Sequence, residues 1–388
     1  MKRLLAAVGI VALVVLAYAH WVLPGQIESK KNVILPHDAY AVSDRAARLH
    51  NSLFIADLHS DSLLWKRDLL EKSDIGHMDL PRLREGNVAL QVFSATTKSP
   101  AGLNYESNDP DSDDITMLAV ASFWPPRTWD SLYERAVYQL EKLHGIARRS
   151  ELTVVASKQD MQDFVARRER GEPVIAGIYL IEGAHPLEGD LKNLDLLFDQ
   201  GLRIVGLTHF FDNELGGSLH GTGGGGLTEF GKSVVRRANE LGLIIDVAHA
   251  SPRMVADVLA ISQAPVMLSH GGVKGTCDSA RNLADPLMQD IAGSGGLIGI
   301  GYWDAAVCDT TPEGVVNAIR YAIDLLGVGH VALGSDFDGA TAVRFDTGEL
   351  AVITEEMLRS GFTEHEIRMV MGENVKRFLL ENLPEQGR

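Results

Sequence analysis

Residues 243–270 read LIIDVAHASPRMVADVLAISQAPVMLSH. The run Leu243 to Ala248 is apolar almost throughout, a stretch of helical periodicity follows, and a second apolar run, Pro265 to Ser269, comes next. Short continuous apolar runs mark strands buried on both faces, as a parallel sheet covered by helices requires. The same alternation recurs on either side, in Leu53 to Leu58, Val88 to Phe93, Val174 to Ile181, Ile204 to Thr208, Gly296 to Tyr302 and Val331 to Ser335. Eight strand-helix repeats predict an α/β chain folded as a (β/α)8 TIM-like barrel over residues 51–388.

Polar residues follow these runs directly. His59 and Asp61 close the first and Glu182 the third; His209, His249 and His270 close the fourth, fifth and sixth; Asp336 closes the eighth. Barrel enzymes build their sites at the rim where strands end, so the seven converge on one mouth. One histidine after a strand is commonly a structural hydrogen-bonding group, but four of them with three carboxylates point to metal ligands. In His59-Ser60-Asp61 the alternate residues point the same way and can reach one ion. A carboxylate ending a buried strand, as Glu182 does, needs compensating charge, which a metal or an arginine supplies. This many ligands exceeds what one catalytic zinc takes and favours a two-metal centre.

The rest of the chain narrows the alternatives. Its 36 Lys and Arg against 52 Asp and Glu give a net charge of -16, with no basic patch, which disfavours nucleic acid as a partner. The two cysteines, Cys277 and Cys308, form no zinc-finger spacing. Lys2 and Arg3 precede an apolar stretch from Leu4 to Leu23, which predicts a membrane anchor over 1–23, with the catalytic domain outside the cytoplasm, periplasmic or extracellular. Ala17-Tyr18-Ala19 also matches a signal-peptidase site, and cleavage there would release a secreted protein. The continued apolarity of Trp21, Val22 and Leu23 favours the anchor. Residues 24–50 are expected to be a linker and lead-in. The Gly-rich run Gly216 to Gly226 lacks the ending of a phosphate-binding loop and is expected to be a lid or plain loop. The acidic excursion Ala101 to Arg127 is either a rim loop or a solvated detour. Helical periodicity over Val315 to Leu326 and Glu355 to Leu379 predicts helices covering the barrel.

The motifs Asp57-Leu58-His59-Ser60-Asp61, Ile181-Glu182-Gly183-Ala184-His185, Leu207-Thr208-His209, Gly226-Leu227-Thr228-Glu229-Phe230-Gly231, Ile245-Asp246-Val247-Ala248-His249, Leu268-Ser269-His270, Ala280-Arg281-Asn282 and Gly334-Ser335-Asp336-Phe337-Asp338-Gly339 together resemble the membrane (renal) dipeptidase family, peptidase family M19. The resemblance runs from about Phe54 to Phe378. It implies two zinc ions per chain, one on His59 and Asp61, the other on His249 and His270, bridged by Glu182. It also implies that His209 and Arg281 bind substrate, that Asp336 is the acid/base residue, and that Cys277 and Cys308 pair in a disulfide. A homodimer is consistent with it. Ser60 departs from the family's Asn, at a side chain pointing away from the metals.

Two bound cations would lower the pKa of a bridging water toward neutrality for attack on a carbonyl. Asp336 is then expected to move protons, His209 to stabilise the oxyanion, and Arg281 to grip the C-terminal carboxylate of a dipeptide. The alternatives are a lactonase, deaminase or phosphotriesterase on the same barrel, or a non-catalytic anchored binding protein. The complete ligand set speaks against the last.

Overall fold

The computed structural model describes residues 3, 5, 9, 10 and 17–385. All eight predicted runs are parallel strands: β1 (Ile55–Ser60), β2 (Val88–Thr96), β3 (Ile175–Glu182), β4 (Leu202–Gly206), β5 (Ile244–Asp246), β6 (Met267–Gly271), β7 (Leu297–Ile300) and β8 (Val331–Leu333). Each pairs with the next, and β8 pairs back on β1 through Leu333 and Asp57, which closes the ring. A short strand, Leu152–Val154, adds to the start of β3.

Strand alternation sorts the core into two layers. Ala56, Leu58, Leu90, Val92, Ile178, Leu180, Ile204 and Ile244 form one cluster, joined by Phe378 and Leu379 near the C-terminus. The opposite set, including Ile55, Phe93, Tyr179, Ile181, Val205 and Ile298, packs with residues of the surrounding helices. Both faces of every strand are dry, which accounts for the uninterrupted apolar runs.

Two helical expectations are refined. The first stretch is a helix over Pro312–Leu326, entered through Thr311, whose side chain accepts from the Gly314 amide. The second is interrupted, with helices at Ala351–Arg359, Glu364–Arg368 and Asn374–Asn382. A Cβ built on Gly372 would lie 2.0 Å from the carbonyl oxygen of Phe54, so the chain bends where it passes the lead into β1.

Residues 24–50 do not hang free. Helix α1 (Leu23–Lys31) lies against the rim, Val33–Ile34 pairs with Ala342–Val343, and Asp44–Asn51 is a second helix. Glu28 of α1 is buried and accepts from Arg67 Nε at 2.6 Å, and Arg67 also pairs with Asp338. No helix among the described residues is long and apolar enough to cross a membrane. Half of the expected span Leu4 to Leu23 lies outside those residues.

Candidate metal centre

The strand ends deliver the predicted side chains to one place. Glu182 Oε1 lies 3.5 Å from His59 Nε2, 3.2 Å from His249 Nε2 and 3.4 Å from His270 Nε2. Its other oxygen is 3.5 Å from His209 Nε2. Asp61 Oδ2 is 3.6 Å and Asp336 Oδ1 4.0 Å from His59 Nε2. All seven are buried. His249 and Asp336 hold left-handed backbones, with φ of 62° and 58°, conformations that cost non-glycine residues of order 1–3 kcal/mol and cluster at functional sites.

The histidines are turned so that lone pairs face inward. Ser269 Oγ donates to Asp246 Oδ2 at 2.5 Å, so it accepts from His270 Nδ1 at 2.9 Å, leaving Nε2 unprotonated toward the centre. That Nε2 is 2.9 Å from His249 Nε2. Burial, reinforced by the charge on Arg281, holds His249 well below the usual histidine range, and burial does the same to His270. Two neutral imidazoles therefore face each other edge to edge, an arrangement that a cation between them satisfies. His59 Nε2 has no hydrogen-bond partner among the described residues. Burial opposes a charge on His59, but Glu182 and Asp61 outweigh it and push its pKa up to about 10. The pocket is thus built for positive charge. Three groups have ligand atoms within 4.8 Å of one another: His59, Asp61 and Glu182; His59, His270 and Asp336; and Glu182, His209 and His249. Buried carboxylates and imidazoles with inward lone pairs fit divalent cations.

Several supporting groups were not singled out from sequence. Thr96 Oγ1, at the end of β2, sits 2.9 Å from Asp61 Oδ1 and 3.0 Å from Glu182 Oε2. Asp57 accepts from Gln91 Nε2 at 3.0 Å and from Ser335 Oγ at 2.9 Å, tying β1, β2 and the end of β8 together below the ligands. Tyr105 and Trp303 line the cavity above. Asp57 and Ser335 fall within the quoted motifs without an assigned role; Thr96, Gln91, Tyr105 and Trp303 carried no signal beyond nearness to a strand or its end.

Arg281 reaches the centre from the loop after β6. Its Nη2 donates to the carbonyl of His270 at 2.7 Å, its guanidinium lies 5.5 Å from the Trp303 ring, and its buried Nε has no partner among the described residues. A disulfide joins Cys277 to Cys308 and braces that loop. The Gly-rich loop packs beside the site, with the Leu219 amide donating to the carbonyl of His249 at 2.7 Å. A cavity of about 610 Å³ opens over Asp61 and His209 and is walled by α1 and by α2 (Asp114–Ala121).

A family model described as membrane dipeptidase (peptidase family M19) matches residues 43–384. Dipeptidase verJ of Clonostachys rogersoniana is 28% identical over 314 residues, covering 79% of this chain and 76% of the relative. A metallo peptidase from Rhodobacter sphaeroides, solved with a phosphinate mimic of the dipeptide L-Ala-D-Ala, superposes with a TM-score of 0.70 at 26% identity, over 85% of this chain and 99% of that one. The probable dipeptidase PvdM from Pseudomonas aeruginosa shares the fold, with a TM-score of 0.73 at 22% identity, over 87% and 98%.

Proposed function

The chain belongs to the membrane dipeptidase family, peptidase family M19, and on that premise we propose that it hydrolyses dipeptides with two zinc ions held by His59, Asp61, Glu182, His249 and His270. The observation that carries this reading is the meeting of three imidazole Nε2 atoms within 3.2–3.5 Å of one Glu182 oxygen. When bound, divalent cations supply Lewis acidity and lower the pKa of water toward neutrality.

The chain's own residues do the rest. Asp336 accepts the proton of the attacking water and returns it to the departing amine. Its Oδ1 lies 4.0 Å from His59 Nε2, which puts the carboxyl beside the proposed metal ligands and within reach of the reacting water. His209 stabilises the developing oxyanion. Its Nδ1 donates to the carbonyl of Lys98 at 3.1 Å, which fixes the ring with Nε2 toward Glu182. Arg281 grips the C-terminal carboxylate with the edge left free beside Nε.

We also propose that the segment before Pro24 anchors the protein to a membrane. Trp21, Met117 and Phe123 are exposed by 77%, 71% and 48%, and Trp21 and Phe123 both flank His20. Apolar and aromatic groups on one face suit a bilayer surface. Carbonate-washed membranes should retain the full chain and lose a 32–388 variant; release of both would refute the anchor.

Metal content measured beside a dipeptide panel tests the catalytic reading. Zinc near two per chain, with turnover abolished by a chelator and restored by zinc, is the expected result. Turnover that survives complete metal removal would overturn it.

A further inference from the structure

The cavity above the metal ligands has a marked chemical bias. Leu64, Trp65, Ile115 and Leu118 form its inner wall, packed together in a small core of their own to which Ile27 of α1 is added. Leu103 extends the apolar surface outward. The charged lining groups away from the centre, Lys31, Asp114 and Asp304, stand exposed at the lip, where water screens them. At about 610 Å³ the space exceeds what the side chains of an Ala-Ala dipeptide fill.

From this wall we infer that the enzyme selects dipeptides carrying one bulky apolar side chain, and that α1, part of the N-terminal lead-in, is a specificity element of the site. The inference rests on the dipeptidase reading and names its substrate class. Arg281 holds the common carboxylate, and the apolar side chain extends over Asp61 and His209 toward α1 and α2. The buried Glu28–Arg67–Asp338 chain of ion pairs holds α1 in place, and Asp338 stands two residues beyond Asp336. The wall and the proton carrier are thus fixed by one anchorage. Transferring a Leu or Phe side chain from water to such a surface favours its substrate over an Ala-sized one by about ten- to hundred-fold in kcat/KM.

The test uses the zinc-loaded full chain with Ala-Ala, Phe-Ala, Ala-Phe, Asp-Ala and Lys-Ala. At least one Phe-containing dipeptide should exceed all three others by ten-fold or more. The ratio of that dipeptide to Ala-Ala should fall about ten-fold in Ile27→Asp, and several-fold in Leu103→Ala, an exposed position that serves if the first variant does not fold. Calorimetry with phosphinate mimics bearing benzyl or methyl side chains should show the same ranking in binding alone. Equal rates for Phe-, Asp- and Lys-bearing dipeptides, or an unchanged ratio in the variants, would overturn this inference while leaving the dipeptidase reading intact. Failure to cleave any dipeptide would defeat that reading and this one with it.

Discussion

Ser269 settles which nitrogen of His270 faces the candidate metal centre. Its hydroxyl proton is committed to Asp246, so it can only accept from Nδ1. Ser269→Ala should therefore weaken zinc binding by about 10- to 100-fold, the usual cost of losing a group that orients a metal ligand, measured by competition with a chromophoric chelator. Unchanged affinity would remove Ser269 from the site's design. Asp336→Asn separates chemistry from metal binding: zinc content should persist while kcat falls by at least about 100-fold, the contribution of a positioned acid/base group. Wild-type turnover in that variant would strike Asp336 from the mechanism. Arg281→Ala should raise KM for dipeptides with a free C-terminus far more than for amidated analogues; equal losses would argue against the clamp. The clustered histidines and carboxylates were legible in sequence because an imidazole or carboxylate at the end of an apolar run is costly without a partner. Thr96 was not, because Ser94, Ala95 and Thr96 look like the start of a loop when β2 in fact continues through them, buried.

At the scale of elements, the strands were the readable part, since burial on both faces leaves an apolar signature that needs no partner to be recognised. Their ends were less so, because small polar residues at a rim are satisfied by tertiary contacts. The helical stretch over 355–379 shows the opposite failure: periodicity persists across a turn at Gly361, whose φ is 80°, and across the kink at Gly372, where a side chain would meet the Phe54 carbonyl. The loop carrying Arg281 is fastened by the Cys277–Cys308 bridge, whose partners are 31 residues apart. Closing a loop of that length stabilises the fold by about 3–4 kcal/mol on the chain-entropy account. The Cys277→Ser, Cys308→Ser double variant should lose roughly that much in denaturant titration and show a raised KM. An unchanged KM with lowered stability would confine the bridge to folding.

The whole molecule carries an acid-sensitive joint remote from the metals. His50 is buried, with Nε2 facing the carbonyl of Gly86 at 3.1 Å and Nδ1 facing the hydroxyl of Thr354 at 2.8 Å. A neutral ring satisfies both by donating to the first and accepting from the second. Burial lowers its pKa from the ordinary 6.5 to about 4. Between those values the unfolded chain binds the proton and the folded chain does not, so stability is full above about pH 6.5 and declines as pH falls toward 4. The loss is on the order of 3 kcal/mol. Denaturant midpoints across that range should show it, and His50→Gln should flatten the slope; an identical slope would place the acid sensitivity elsewhere.

Ring closure between Leu333 and Asp57 has a consequence for how the site is completed. His59 lies between Asp61 at the end of the first strand and Asp336 after the last, so the seven groups meet as one set only when the eighth strand seats against the first. A polypeptide ending short of that seam lacks Asp336 and leaves the outer edge of β1 unpaired. The complete set of groups is accordingly a property of the closed ring and of no part of it.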